Sequence, residues 1–242
     1  HSGVSSAGNG PAMRAAIIGA FFPEDRVRRL DFLTASTRLT HTDPKALIGA
    51  SAITELAALI VRDHPMQRPA LNAFIELLRS CGSQDREWLA IVEDIERAAR
   101  SDSTVAELAD RLGISQGVTG YIYHTVPIAA YAWFRHFGDF RTTLTEVLNC
   151  GGDTDTTGAI VGALAGAVVG EAGIPPDWRG GVIDWPRSLS LLRALARRLL
   201  LAASARQALA PVRYFWPAIP LRNLVFLLIV LIHGFRRLLP PY

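Results

Sequence analysis

Acid is what the last quarter of this chain has least of. From Arg179 onward there are ten arginines and one acidic residue, Asp184, although the formal net charge of all 242 residues is only +3. The part before it is therefore net negative, and an acidic body carries a basic tail. Cysteine is equally scarce. Cys81 and Cys150 are the only two, and no Cys-x-x-Cys spacing occurs. That excludes a disulfide framework and fits a reducing, cytoplasmic setting. There is no basic-then-apolar leader of the signal-peptide kind. The sequence opens on His1 rather than Met, so processing, or a piece of something longer, is expected. No repeat period is visible. Charged residues are 19% and hydrophobic residues 50%, an ordinary globular balance that argues against extensive disorder.

What is present is helical periodicity nearly throughout. Pro11, after Gly8-Asn9-Gly10, reads as the first helical residue of a segment continuing AMRAAIIGAFF. Asp43-Pro44 reads as a cap and a first-turn proline, with apolar residues three and four apart behind them. Thr104 and Glu107 fit a capping box for a helix ending at Gly113. Only GVTGYIYHTV, residues 117–126, has a strand-like composition, and it has no evident partner. The fold class that follows is all-α.

The stretch GGDTDTTGAIVGALAGAVVG, residues 151–170, carries the chemistry. Gly151-Gly152 permits a turn that other residues avoid. Asp153 and Asp155 would diverge on a regular helix, so they converge only if the segment is still entering one. With the Thr156 hydroxyl they make a hard-oxygen set suited to Mg²⁺ or Mn²⁺. Cys150 is the only soft ligand beside them, which disfavours zinc. A plain alternative stands next to this: Asp153 or Thr154 as a helix cap. Gly158, Gly162, Gly166 and Gly170 then form a stripe every fourth residue, read as the face of a tightly packed core helix.

These residues resemble the second metal motif of the ADP-ribosylglycohydrolases of the dinitrogenase-reductase-activating type. SSAGNGPAMR is similar to that family's Gly-Asn-Gly-x-x-Met-Arg loop, and THTDP to its Thr-His-x-x-Pro helix entry. GYIYHTVPIAAYAW and DWPRSLSLLRALARRL resemble its later segments, in family order. The resemblance implies a compact orthogonal multi-helix fold over residues 1–206, with 207–242 as a basic, apolar extension. It implies a centre of two Mg²⁺ or Mn²⁺ ions with Asp153, Asp155 and Thr156 among the ligands. Ser6, Gly8, Asn9 and Gly10 would form a loop against ADP-ribose, with His41 facing the nucleotide and Tyr121 against the substrate. The reaction implied is hydrolysis of the glycosidic bond between ADP-ribose and a protein side chain or related adduct.

Each residue keeps a plainer reading: a turn before Pro11, a helix-entry histidine, a core aromatic. One departure is large. The family's other metal motif contains an Asp-Asp-Thr, and this chain has no Asp-Asp pair. The expectation is the C-terminal part of an enzyme, poorly active alone and with its proton-transfer carboxylate elsewhere. A non-catalytic ADP-ribose-binding or structural relative is the alternative. An Asp-x-Asp-x-Thr phosphatase of the haloacid-dehalogenase type is disfavoured, because a helical pattern precedes Asp153 and no βαβ alternation follows. The expected partner is an ADP-ribosylated protein or an ADP-ribose-containing small molecule, and no nucleic acid. Residues 211–242 pose a separate question. Their apolar run, 224–232, is about 14 Å of helix and too short alone for a ~30 Å hydrocarbon core. Either it packs back as a buried helix, or its flanking arginines hold it peripherally on a membrane.

Overall fold

The Asp43 carboxylate accepts the Lys45 N–H at 2.8 Å, and Pro44 occupies the first helical position. One orphan donor is satisfied and another is removed, which fixes where the helix Pro44–Asp63 begins. The structure, a computed structural model, describes residues 3–238. The chain forms two compact units, His1–Pro175 and Pro176–Tyr242.

In the first unit α1 is Gly10–Met13, α2 Ala15–Phe21, α3 Arg26–Arg38, α4 Pro44–Asp63 and α5 Leu71–Cys81. They are followed by α6 Arg86–Arg100, α7 Val105–Arg111, α8 Ile122–Arg135, α9 Phe140–Asn149 and α10 Thr154–Gly173. Helix is the only extended regular structure among the described residues. Strand-type pairing is confined to the isolated bridges Val4–His41, Gly8–Tyr121 and Val118–Gly152. The all-α class is thus observed.

α4 and α8 form the centre. α4 buries Ala46, Ala50, Ile53, Leu56, Ala57 and Ile60, and its small residues admit a close neighbour. A Cβ at Gly19 of α2 would lie 2.1 Å from the Thr54 carbonyl oxygen, so only glycine allows that crossing. The Arg29 guanidinium ties α3 to the same helix through Glu55 at 2.7 Å and donates to the Phe22 and Pro23 carbonyls. Thr104 and Glu107 form both halves of a capping box, as the sequence predicts, and Gly113 follows with a φ of +73°.

Two expectations need correction. The strand-like stretch is not a strand: Ile122–Val126 begin α8, whose residues are buried on every side. An enclosed helix selects for apolar and aromatic residues all round, so composition cannot separate it from a buried strand. The glycine stripe faces α9, but only Gly158 is tight, its added Cβ meeting Leu148 at 3.3 Å. Gly162 and Gly166 leave ordinary room at 3.8 and 3.7 Å, and Gly170 (φ +64°) interrupts the helix. Ala159, Ala163 and Ala167 are exposed, so α10 is half-covered rather than a core helix.

In the second unit α11 is Pro176–Gly180, α12 Leu189–Ala205 and α13 Ala218–Arg236. The nine-residue apolar run is only the middle of α13, a 19-residue helix in which Ala218 alone is buried. Residues 218–223, Pro220 among them, and 233–236 lengthen the helix beyond what the uninterrupted run suggests.

Candidate active site

Four loops meet at one end of the first unit through backbone hydrogen bonds. Asn9 N–H donates to Gly120 O at 2.9 Å, and Ile122 N–H to Ala7 O at 2.9 Å. Val118 N–H donates to Gly151 O at 3.1 Å, and Asp153 N–H to Val118 O at 2.7 Å. Thr42 N–H donates to Val4 O at 2.9 Å, which brings the His41 segment in as well. The approach at Gly152 is close enough that a Cβ there would lie 2.1 Å from Val118 O. With φ at +76°, Gly152 is required twice over.

This stitching places the carboxylates. Asp153 occupies the N-cap position of α10, yet its side chain makes no capping bond. Its oxygen Oδ2 instead accepts from Asn9 Nδ2 at 2.6 Å. The second Asn9 amide hydrogen goes to Thr125 Oγ1 at 3.0 Å, and that hydroxyl donates to Thr119 O at 3.0 Å. Asn9 is buried, so the pair of bonds fixes both the amide and the carboxylate. Burial alone would push the Asp153 carboxyl up, but hydrogen bonding from Asn9 and then from the Thr156 hydroxyl holds it below the usual range. The Thr156 N–H approaches the same carboxylate short of a capping geometry. Asp153, Asp155 and Thr156 therefore lie together at the mouth of α10, with Asp155 exposed and the other two half-buried.

The glycine loop is shaped by His41. A Cβ at Gly8 would sit 2.7 Å from His41 Nε2, and one at Gly10 would sit 3.0 Å from Cε1. The ring thus lies against the loop backbone, and Ser6 Oγ stands 3.5 Å from the same Gly8 position. His41 Nδ1 pairs with Thr40 Oγ1 at 2.8 Å. Burial first, and the Arg14 charge second, keep its pKa below the ordinary histidine value, so the ring is neutral at pH 7. Arg14 organises the loop from behind, donating to Gly10 O at 3.0 Å, to Ser36 O at 2.9 Å and to Thr40 Oγ1 at 2.5 Å.

Tyr121 is half-buried and belongs to a cluster the sequence did not disclose. Its hydroxyl donates to Glu87 Oε1 at 2.6 Å, while Lys45 Nζ donates to Glu87 Oε2 at 2.5 Å and to Tyr121 Oη at 3.0 Å. Lys45 lies 5.6 Å from the centroid of the Tyr121 ring. The Glu87 hydrogen bond, then that of Tyr121, raises the Lys45 pKa, and the Lys45 bond holds Glu87 below its usual value. Burial, then Glu87, raises Tyr121. Glu87 sits 34 positions from Tyr121, outside any motif, so no local signal marks it. Thr125 lies in the GYIYHTVPIAAYAW segment, and nothing local marks its bond to Asn9, 116 positions away.

The donor chemistry at the mouth of α10 fits a hard divalent cation: two carboxylates and a hydroxyl, all oxygen. It is a partial set, since Mg²⁺ takes six ligands. Among the described residues no three or more His, Cys, Asp or Glu side chains group as a metal site.

Comparison with known proteins gives the family of the chain. The family model described as ADP-ribosylglycohydrolase matches residues 1–209. An uncharacterized protein of Archaeoglobus fulgidus is 34% identical over 186 residues, covering 76% of this chain and 56% of that protein. ADP-ribosylhydrolase ARH3 of Bos taurus is 28% identical over 225 residues, covering 81% and 59%. The ADP-ribosyl-dinitrogen reductase glycohydrolase of Rhodospirillum rubrum is 40% identical over 60 residues, 25% of this chain and 20% of that one. A solved structure described as an ADP-ribosylglycohydrolase-related protein complex superposes with a TM-score of 0.59 at 26% identity, covering 82% of this chain and 60% of that one. The chain spans between half and two thirds of the length of the first two of these relatives. With its family model matched over 209 residues and its fold shared with that solved structure, the chain belongs to the ADP-ribosylglycohydrolase family.

Proposed function

We propose that this chain supplies one side of the active site of a divalent-metal-dependent ADP-ribosylglycohydrolase. The substrate class is ADP-ribose joined through a glycosidic bond to a protein side chain or to a related small adduct. One observation carries the reading: the Asn9–Asp153 hydrogen bond joins the glycine loop to the acidic motif across 144 positions of sequence. A plain helix cap has no need of such a partner. Membership of the family and the printed activities of the relatives support the reaction class.

Asp153, Asp155 and Thr156 would hold Mg²⁺ or Mn²⁺, with the remaining ligands from water, substrate or residues outside this chain. When bound, such an ion polarises an oxygen or activates a water for attack at an anomeric carbon. The residues of the chain do the positioning. Asn9 keeps the Asp153 oxygens aimed and ionised. The neutral His41 ring and the Gly8–Gly10 backbone offer a flat polar surface on which a nucleotide can lie. Tyr121, fixed through Glu87 and Lys45, pairs with Gly8 of the glycine loop and so sets an aromatic ring beside it. No proton-transfer residue is assigned within this chain.

The test uses the complete gene product: divalent-dependent release of free ADP-ribose from a mono-ADP-ribosylated protein or an ADP-ribose adduct. D153N and D155N should each lose activity by orders of magnitude. Near-normal turnover in either variant would sink the reading. Binding of Mn²⁺ and ADP-ribose with no turnover would favour the non-catalytic binding module instead.

A further inference from the structure

We propose that α13 crosses a lipid bilayer, independently of the catalytic reading above. α4, α10 and α13 are each long and apolar enough for a span by composition. α4 is enclosed by the core of the first unit, and α10 has one side on α9. α13 differs: Leu224, Phe226, Leu228, Val230 and Ile232 are 48–64% exposed, and so are Val225, Leu227, Ile229 and Leu231 at 44–51%. Successive residues of a helix point in different directions, so this exposure runs round the whole circumference. A helix apolar on all sides needs an apolar environment on all sides.

That geometry decides between lying on a membrane and crossing it. A surface-lying helix has a polar face for the water side. Between Arg222 and His233 the only polar residue of α13 is Asn223, so half of a surface-lying α13 would keep hydrocarbon in water. The helix has 19 residues, about 28 Å at 1.5 Å per residue, against a hydrocarbon core of ~30 Å. Its ends are suited to two interfaces. Arg222 near the start, paired with Asp184 at 2.9 Å, and Arg236 and Arg237 at the finish have stems long enough to reach headgroups. Tyr214, Phe215 and Trp216 precede the helix, where an aromatic belt would fall. Within the same unit Arg197, Arg198 and Arg213 stand at a largely apolar groove of about 500 Å³ with Leu201 and Pro211, three cations placed to meet anionic headgroups.

The experiment expresses the full chain in a bacterial host and extracts the membrane fraction with high salt and then with alkaline carbonate. Retention through both is expected. L228R, a charge at the helix centre, should reduce the retained fraction at least tenfold while leaving the circular dichroism of the first unit unchanged. Crossing is read by introducing a cysteine at Ser204 or at Leu238, on opposite sides of α13, and labelling intact vesicles with a membrane-impermeant maleimide. Spanning predicts labelling above the parent protein at one of the two positions only. Equal labelling at both, or release by salt, would overturn the proposal in favour of surface binding. A soluble monomer would overturn it in favour of packing within the protein, and a soluble oligomer in favour of a second copy covering the helix.

Discussion

α4 and α13 are nearly the same length, 20 and 19 residues, and both are apolar enough to cross a membrane. One is buried at the centre of the first unit, and in the other Ala218 alone is buried. The difference lies in a few polar residues and in what they meet. α4 contains Lys45, Thr54 and Glu55, and each has a specific partner: Glu87 and Tyr121, the Ala15 and Ala50 carbonyls, and Arg29. α13 has no such residue between Asn223 and His233. Apolarity says that a helix must be covered. The polar residues along it tell whether protein or lipid is the cover.

The comparison breaks most visibly with a charge in each helix. Ile53 is fully buried, and I53D should destabilise the first unit by more than about 4 kcal/mol, because an unpaired carboxylate enters an apolar core. Cooperative urea unfolding should vanish. The matching change in α13, L228D, should leave that transition where it was. Equal damage from both would mean that α13 is part of the same folding unit. R29A tests the polar half of the argument. Arg29 is 3% exposed and Glu55 15%, so removing the guanidinium leaves Glu55 with only Arg26, at 3.9 Å, and takes the donor from the Phe22 and Pro23 carbonyls; the change should cost about 3 kcal/mol in the same assay. A loss below about 1 kcal/mol would reduce the pair to ordinary surface electrostatics.

N9A comes next, at about 1–3 kcal/mol for the partners it leaves unpaired. Its sharper readout is Mn²⁺ affinity, followed by electron paramagnetic resonance. If Asn9 aims Asp153, affinity should fall tenfold or more while N9D, which adds a carboxylate beside it, changes the pH dependence of binding. Unchanged affinity in N9A would make Asn9 a purely structural link between two loops.

Histidine titration should produce a smaller effect. Burial lowers the pKa of His41, His124 and His136 in the folded protein. A base whose folded pKa is below its unfolded value binds fewer protons when folded, so stability rises with pH through that window. The first unit should therefore lose a little stability as pH falls below about 6.5, the unfolded histidine value. The thermal midpoint of H136Q should show less of this acid sensitivity than the parent. A midpoint that rises on acidification from pH 7 to 6 would contradict the assignment.

What the sequence disclosed and what it hid divide along a physical line. Caps were legible because Asp43, Thr104 and Glu107 act within one turn of their own position. The acidic motif and the glycine loop were legible as patterns, and Gly152 as the residue of a turn. The Lys45–Glu87–Tyr121 cluster was not, because it is assembled from three elements and no one segment carries it. Neither was the helical state of Ile122–Val126, since burial on every side erases the periodicity by which helices are recognised. The length of α13 was underestimated for a related reason. Counting an uninterrupted apolar run ignores the prolines and arginines that a helix accommodates at its ends.

α10 lies between the two extremes, and the smallest predicted effect concerns it. Its glycine stripe reads in sequence as a demand for a very close neighbour. In the structure α9 meets Gly158 tightly but leaves normal contact distance at Gly162 and Gly166. An added methyl at Gly162 would then meet Leu144 at 3.8 Å, neither clashing nor leaving a void. Alanine also restricts the unfolded chain and favours helix, so G162A should stabilise the first unit by up to about 1 kcal/mol. G158A, with Leu148 at 3.3 Å, should be close to neutral, the leucine yielding by a few tenths of an ångström. Matched thermal melts of the two variants measure the difference. If G162A instead costs more than about 1 kcal/mol in the complete gene product but not in these 242 residues, the stripe receives a close neighbour from outside this chain. α10 would then resemble α4, covered by protein on a second side, and its half-exposure here would mark where that protein packs.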